Sequence, residues 1–260
     1  MAPVRDLDLE HLAQDFERAL EAHQVTAAYQ PQVDIPMGRV VGVEALARWT
    51  HPRRGPIAPD VFVEMAQKTG MLAMLTERMM DDLINEYRRG CSIEVAVNVS
   101  ATQLEDPALY DMFEDAFANG RFRPETLIVE VTESQRIVHP ERVAAPLAAL
   151  AAHGVMISVD DFGTGHSSFE RVEALHAREL KLDRSLVQST ERSEEMARIV
   201  VEAHARGIRV VGEGVEEEEQ FDRLAALGCD RAQGYWIAKP QPPQELFAWY
   251  TANRGRIRRS

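Results

Sequence analysis

Glu44, Asn98, Glu130, the adjacent pair Asp160 and Asp161, Lys181, Glu213 and Gln233 each stand within or just after a short apolar run of the chain. Asn98 follows Val95, Ala96 and Val97, Glu130 closes residues 127–129, the aspartate pair follows Val159, and Glu213 comes just after Val210 and Val211. If these runs are strands of one barrel, their downstream ends meet at a single rim, where barrels of this type build their sites. Five carboxylates, two carboxamides and one ammonium would then share a pocket on the order of a few hundred Å³. Like charges packed so closely disfavour one another's ionisation, so the cluster calls for positive charge. Oxygen donors with no Cys or His among them suit hard cations such as magnesium, manganese or calcium better than zinc. Two neighbouring carboxylates at a strand end can reach two ions on either side of a shared oxygen. Two ions about 4 Å apart are a device for phosphoester hydrolysis.

Each residue has a plainer reading. A lone acid at a strand end commonly caps the following helix; it is the set that argues otherwise. The four acids at 216–219 open the helix that contains Phe221 and Leu224 and complement its dipole, so only Glu216 is kept as a candidate site residue. His166, in Gly165-His166-Ser167-Ser168, is read as a loop or rim residue, and His51, before Pro52, as structural. Met65, Met71, Met74, Met79 and Met80 read as helix core.

The positioning elements follow from periodicity. Leu9, Leu12, Phe16 and Leu20 at helical spacing predict an amphipathic helix over residues 6–22. Extended stretches are expected at 27–33 and 40–49, then a helix from Pro59 that is interrupted at Gly70 and resumes to about Gly90. Strands at 93–99, 126–131, 155–159, 179–182 and 208–211 alternate with helices punctuated by Pro140, Gly154, Gly207 and Gly228. Runs such as 155–159 and 208–211 lack period-2 alternation, as expected of a sheet covered by helices. About eight strand–helix units without a break predict an α/β barrel in one domain. The alternative, an open doubly wound sheet, lacks a Gly-x-Gly-x-x-Gly loop after the first strand.

The chain has 260 residues, 45% hydrophobic and 27% charged, with a net charge of −13. That balance argues against binding DNA or RNA duplexes, which requires a basic surface. No apolar run reaches the roughly 18 residues of a membrane span, the N-terminus lacks a signal-peptide layout, and two cysteines make no disulfide framework; a cytoplasmic location is expected. Arg254, Arg256, Arg258 and Arg259 form a solvated basic tail.

In order along the chain stand Tyr29-Gln30-Pro31, Glu44-Ala45-Leu46-Ala47-Arg48-Trp49, Val97-Asn98-Val99-Ser100, Glu130-Val131-Thr132-Glu133-Ser134, Asp160-Asp161-Phe162-Gly163-Thr164-Gly165, Leu180-Lys181-Leu182-Asp183-Arg184-Ser185, Glu213-Gly214-Val215-Glu216 and Gln233-Gly234-Tyr235. This series resembles the EAL domain family over residues 9–250, leaving a short extension at 1–8 and the basic tail at 251–260. The resemblance implies a modified TIM (β/α)8 barrel with one antiparallel strand, often a homodimer. It implies hydrolysis of cyclic di-GMP to linear 5′-pGpG with two magnesium or manganese ions, and inhibition by calcium. Glu44, Asn98, Glu130 and Asp160 would hold the first metal, with Asp160 bridging to a second held by Asp161 and Glu213. Lys181 would touch the attacking water, and Glu44 and Glu213 join it as the residues carrying catalysis. Gln30 and Gln233 would orient waters or ligands, and Arg48 would face a substrate phosphate. The loop over residues 161–168, with Phe162 and Gly163 and steadied by Glu133, would close over the metals. His166, where the family usually has Tyr, Gln67, where it usually has Glu, and a less typical stretch at 237–241 are departures outside the ligand set. A catalytically weak receptor or protein-interaction module of the same fold is the alternative implied.

Overall fold

The computed structural model describes residues 9–88, 93–132, 140–164, 168–253 and 257. The first helix, α1 (Leu9–Glu21), begins inside the expected span and buries Leu12, Phe16, Ala19 and Leu20 on one face. Strands β1 (Val25–Asp34) and β2 (Arg39–His51) form an antiparallel hairpin, and β3 (Gly55–Ile57) folds back on the end of β2. Helix α2 (Pro59–Thr69) starts on a proline and ends at Gly70. Gly70 takes φ +74°, a left-handed cap that glycine adopts without Cβ strain, and α3 (Leu72–Arg88) follows.

From there strand and helix alternate: β4 (Glu94–Val99), α4 (Ala101–Leu104), α5 (Pro107–Ala118), β5 (Leu127–Thr132), α6 (Pro140–Ala152), β6 (Met156–Phe162) and α7 (Phe169–Ala174). Then come β7 (Glu179–Leu182), α8 (Arg184–Gln188), α9 (Ser193–Ala205), β8 (Arg209–Gly212), α10 (Glu218–Leu227), β9 (Arg231–Gln233) and α11 (Pro243–Ala252). The sheet order β1-β9-β8-β7-β6-β5-β4-β2, closed by the β1–β2 pairing, makes an eight-stranded ring with β3 as an extra strand on β2. All ring pairings are parallel except the two made by β1. The expected barrel with one antiparallel strand is therefore the observed fold. A backbone bridge between Tyr29 and Gln241 ties the segment after β9 to the first strand.

The missing alternation has the expected cause. In β5, Leu127, Val129 and Val131 face the helices while Ile128 and Glu130 face the barrel interior, and all are buried. Phe16 packs edge-on against Trp49 at a centroid distance of 5.0 Å and stacks with Phe62 at 5.5 Å, which seats α1 on β2 and α2. His51 is buried beside them. Its Nδ1 accepts the backbone N–H groups of Arg53 and Arg54, and its Nε2 meets Asp15, so its role is structural as expected. Met65, Met79 and Met80 are core and Met71 packs against it, but Met74 is 37% exposed, because it falls on the outward face of α3.

The mouth at the upstream strand ends is sealed by ion pairs. Arg209 meets Glu179 at 2.5 Å and Glu94 at 3.0 Å, and Arg231 meets Glu94 at 2.5 Å. Burial pushes the Glu94 carboxyl up, but the hydrogen bond from Arg231 and the charges of Arg231 and Arg209 outweigh it and hold the group below its ordinary value. Among the described residues no helix is long and apolar enough to cross a membrane.

Candidate active site

At the opposite mouth the strand-end residues converge on Lys181. Its side chain is fully buried in β7, and Nζ lies 2.6 Å from Glu213, 2.9 Å from Glu130, 3.4 Å from Glu44 and 3.5 Å from Asp160. The register explains the meeting. Glu44 pairs with Ala96 one strand away, Asn98 with Glu130, Thr132 with Asp160, and Lys181 with Val211, so inward positions climb the ring to a common level. Glu44 Oε1 accepts from Asn98 Nδ2 at 2.8 Å, and Glu44 Oε2 accepts from Gln233 Nε2 at 2.6 Å. Gln233 Nε2 also donates to Gln30 Oε1 at 3.1 Å, and Gln30 Nε2 donates to the Ala238 carbonyl at 3.2 Å. This relay fixes the Glu44 carboxylate from the antiparallel strand.

Simple alternation would throw Asp161 to the outside of the barrel, next to an inward Asp160. Instead the ladder between β6 and β7 shifts register between Val159 and Phe162, and Asp161 takes φ +60°. A bulge of this kind re-aims a side chain, and aspartate tolerates the left-handed region better than most residues. Oxygens of Asp160, Asp161 and Glu213 consequently lie within 4.8 Å of one another. The bulge also inverts the parity of Phe162, whose ring packs on Phe169 of α7 at 5.2 Å, outside the barrel. Phe162 thus anchors the end of β6 in the core. Gly163 comes against Leu186, where an added Cβ would stand 3.0 Å from Cδ2, and its carbonyl accepts from Arg192 Nη2 at 2.7 Å.

The charges are out of balance. Burial and neighbouring carboxylates push Glu130 and Glu213 well above the ordinary carboxylate range, against the pull of Lys181. Burial, Asp160 and Asp183 carry Asp161 up to about 6. Glu44 goes the other way: despite burial, the Lys181 charge and the donors Gln233 and Asn98 hold it below its ordinary value. Burial works against the Lys181 charge, but the carboxylates of Asp160, Glu130, Glu213 and Glu44 raise its pKa well above that of a free lysine. Among the described residues one ammonium stands against five carboxylates. Glu130 Oε1 is moreover buried with no partner among the described residues. Six residues offering oxygen, an excess of negative charge and an idle carboxylate oxygen fit hard divalent cations.

Arg48 lies four residues beyond Glu44 on the same face of β2, so it stands past the rim, half-buried, near Glu44 and Tyr235. Glu216 is exposed on the approach to α10, where its backbone N–H donates to Gln220 Oε1 at 2.7 Å, and it does not join the cluster around Lys181. Glu133 and His166 lie outside the described residues. Sequence reasoning missed Arg192, which clasps Gly163 while paired with Glu195 at 2.8 Å, and the Ala238 carbonyl that orients Gln30. A backbone acceptor leaves no side-chain signature, and Arg192 reads only as a helix-start residue.

The fold and the site define a barrel whose parallel strand ends gather carboxylates about one lysine, and the chain belongs to the EAL domain family, whose profile matches residues 13–240. It is 38% identical over 246 residues to the bifunctional diguanylate cyclase/cyclic di-GMP phosphodiesterase MucR of Pseudomonas aeruginosa, a match covering 91% of this chain and 36% of that protein. It is 33% identical over 241 residues to the cyclic di-GMP phosphodiesterase RocR of the same organism, covering 90% of this chain and 62% of the relative. The chain thus spans less than two thirds of the length of either curated relative. The solved structure of the PaMucR phosphodiesterase in complex with c-di-GMP superimposes with a TM-score of 0.83 at 36% identity, over 92% of this chain and 100% of that one.

Proposed function

We propose that the chain hydrolyses one phosphodiester of cyclic di-GMP to give linear 5′-pGpG. Glu44, Asn98, Glu130, Asp160, Asp161 and Glu213 would hold two magnesium or manganese ions. The observation that carries this reading is Asp161, turned back into an already crowded carboxylate cage by a bulge. That is an arrangement a chain holds for a cation and not for packing. Its relatives named as cyclic di-GMP phosphodiesterases supply the substrate. When bound, the ions would lower the pKa of a water and offset the charge of the phosphate.

The protein's own groups account for orientation. Lys181 is held protonated by four carboxylates, so it donates a hydrogen bond to the attacking water and does not act as the base. Arg48, past the rim, has the planar fork that pairs with a phosphate. The Gln30–Gln233 relay keeps Glu44 aimed inward. Water adds to phosphorus, the bond to the 3′ oxygen breaks, and the proton ends on that oxygen. A homodimer, which the resemblance implies, and a cytoplasmic setting, expected from the sequence, belong to the same proposal; sedimentation velocity checks the first.

The test is incubation of cyclic di-GMP with the protein and manganese, followed by chromatography. Formation of 5′-pGpG that stops on addition of EDTA is the expected result. Tight binding of intact cyclic di-GMP under saturating manganese would replace the hydrolase with a receptor.

A further inference from the structure

Below the carboxylate cage the barrel interior contains a second polar level. Ser158 pairs with Glu130 on one side and with Glu179 on the other, so their side chains leave the same face of neighbouring strands about 4.8 Å apart. Ser158, Glu179 and Gln32 are all 0% exposed. Glu179 Oε2 is taken by Arg209, but Glu179 Oε1, Ser158 Oγ and both polar atoms of the Gln32 amide meet no partner among the described residues. Gln32, on β1 across the ring, borders the other side of the ion-pair network. A Cβ on Gly42 would stand 3.5 Å from both Gln32 Oε1 and Arg231 Nη1, which sets the amide beside the ion-pair network that Glu179 enters through Arg209. Buried polar groups are rarely left bare, because each loses its hydration without replacement.

We propose that this level binds ordered water, at Ser158 Oγ and Glu179 Oε1 on one side of the ring and at the Gln32 amide on the other, and that the water at Ser158 forms the floor of the metal cage. The chemistry selects water over an ion. Glu179 is already matched by Arg209, so no net charge calls for a counter-ion, and the Gln32 Nε2 donor would repel a cation. The carboxylate oxygen and the Gln32 carbonyl require donors while the amide nitrogen requires an acceptor. Water supplies both, with the roughly three hydrogen bonds usual for a buried molecule. The site itself stands on register and burial. Its consequence, support of the neighbouring Glu130 carboxylate, rests on the reading of Glu130 as a metal ligand.

A crystal structure of the wild-type protein at a resolution that shows waters, without substrate, is the primary test, and density bridging Ser158 Oγ and Glu179 Oε1 is expected. Ser158→Ala keeps the space and lets a second water replace the hydroxyl, whereas Ser158→Val fills it. By isothermal titration calorimetry, manganese affinity should fall about tenfold in Ser158→Val and less than about twofold in Ser158→Ala. An interior where these atoms bond only to protein, with no water density, overturns the proposal. So does a folded Ser158→Val variant that binds manganese as tightly as wild type. If the valine variant does not fold, the wild-type density decides. Failure to form 5′-pGpG with the waters present would count against the phosphodiesterase and leave the water site standing.

Discussion

Replacing Lys181 by methionine removes the ammonium from a site that holds four carboxylates within 3.5 Å of its nitrogen. Methionine matches the volume closely, so the perturbation is electrostatic. Breaking a buried ion pair from one side costs about 3–5 kcal/mol, because the stranded charges must stay desolvated or take up protons. With divalent ions chelated, the melting temperature should therefore fall on the order of 10 °C. The penalty depends on pH with a definite sign. Folding raises the pKa of Glu130, Glu213 and Asp161, the last to about 6, so the native state binds more protons than the unfolded chain above the ordinary carboxylate value. Stability is lost as pH rises through that window, and more steeply in the variant. Manganese should then stabilise Lys181→Met more than wild type, since the same ligands no longer share their charge with an ammonium. Saturation at a hundredfold excess over Kd adds about 2.7 kcal/mol in wild type. Turnover should nonetheless fall at least about 100-fold, for want of the group that orients water. The assay is differential scanning calorimetry at several pH values, with EDTA and with manganese, beside product chromatography. A variant as stable as wild type in EDTA, or one that gains less from manganese, would refute the charge-excess cage.

Glu44→Gln keeps the shape and one acceptor for the Asn98 and Gln233 donors, so circular dichroism should show a retained fold while 5′-pGpG formation drops at least about 100-fold; undiminished turnover removes Glu44 from the metal site. Glu94 has its pKa depressed from 4.5, so it contributes stability that is present above that value and lost as pH falls through the lower folded one; Glu94→Gln should flatten the acid limb of urea-derived stability, and an unchanged slope contradicts the ion-pair assignment. A Cβ at Gly234 would overlap the Val215 backbone, so Gly234→Ala should cost about 3 kcal/mol or more by urea unfolding, against about 1 kcal/mol for Gly120→Ala, where only φ +60° resists; equal costs would be inconsistent with that packing. Calcium should compete with manganese and suppress turnover, because its larger, looser coordination misplaces water, and brisk turnover in calcium alone would count against this.

The cage was legible because each of its members stands within or just after an apolar run in a chain punctuated by Pro59, Gly70, Gly207 and Gly228, and the barrel topology does the rest. The antiparallel setting of β1 was not legible in this way: periodicity marks residues 27–33 as extended but carries no direction, and the family resemblance implied one antiparallel strand without saying which. Nor was the inward turn of Asp161, since a bulge arises from the fit of two strands and not from the residues of one. Arg48 was assigned to the substrate by resemblance. β2 runs on to His51, well past Glu44, which would let Arg48 stand above the cage in the position that the assignment requires. Glu216 looked like its neighbours in the sequence and differs only in lying beyond the strand, on the exposed approach to α10.

The pairing of β1 with both β2 and β9 sets a schedule for synthesis. The ring cannot close until Gln233 has left the ribosome, so for most of translation the nascent chain is an open sheet with one edge waiting on β1 and another on whichever strand was made last. Unpaired edges of that kind are templates for association with other chains. The same residue that completes the ring also grips Glu44, so an arrested or truncated product lacks its last strand and its hold on Glu44 together.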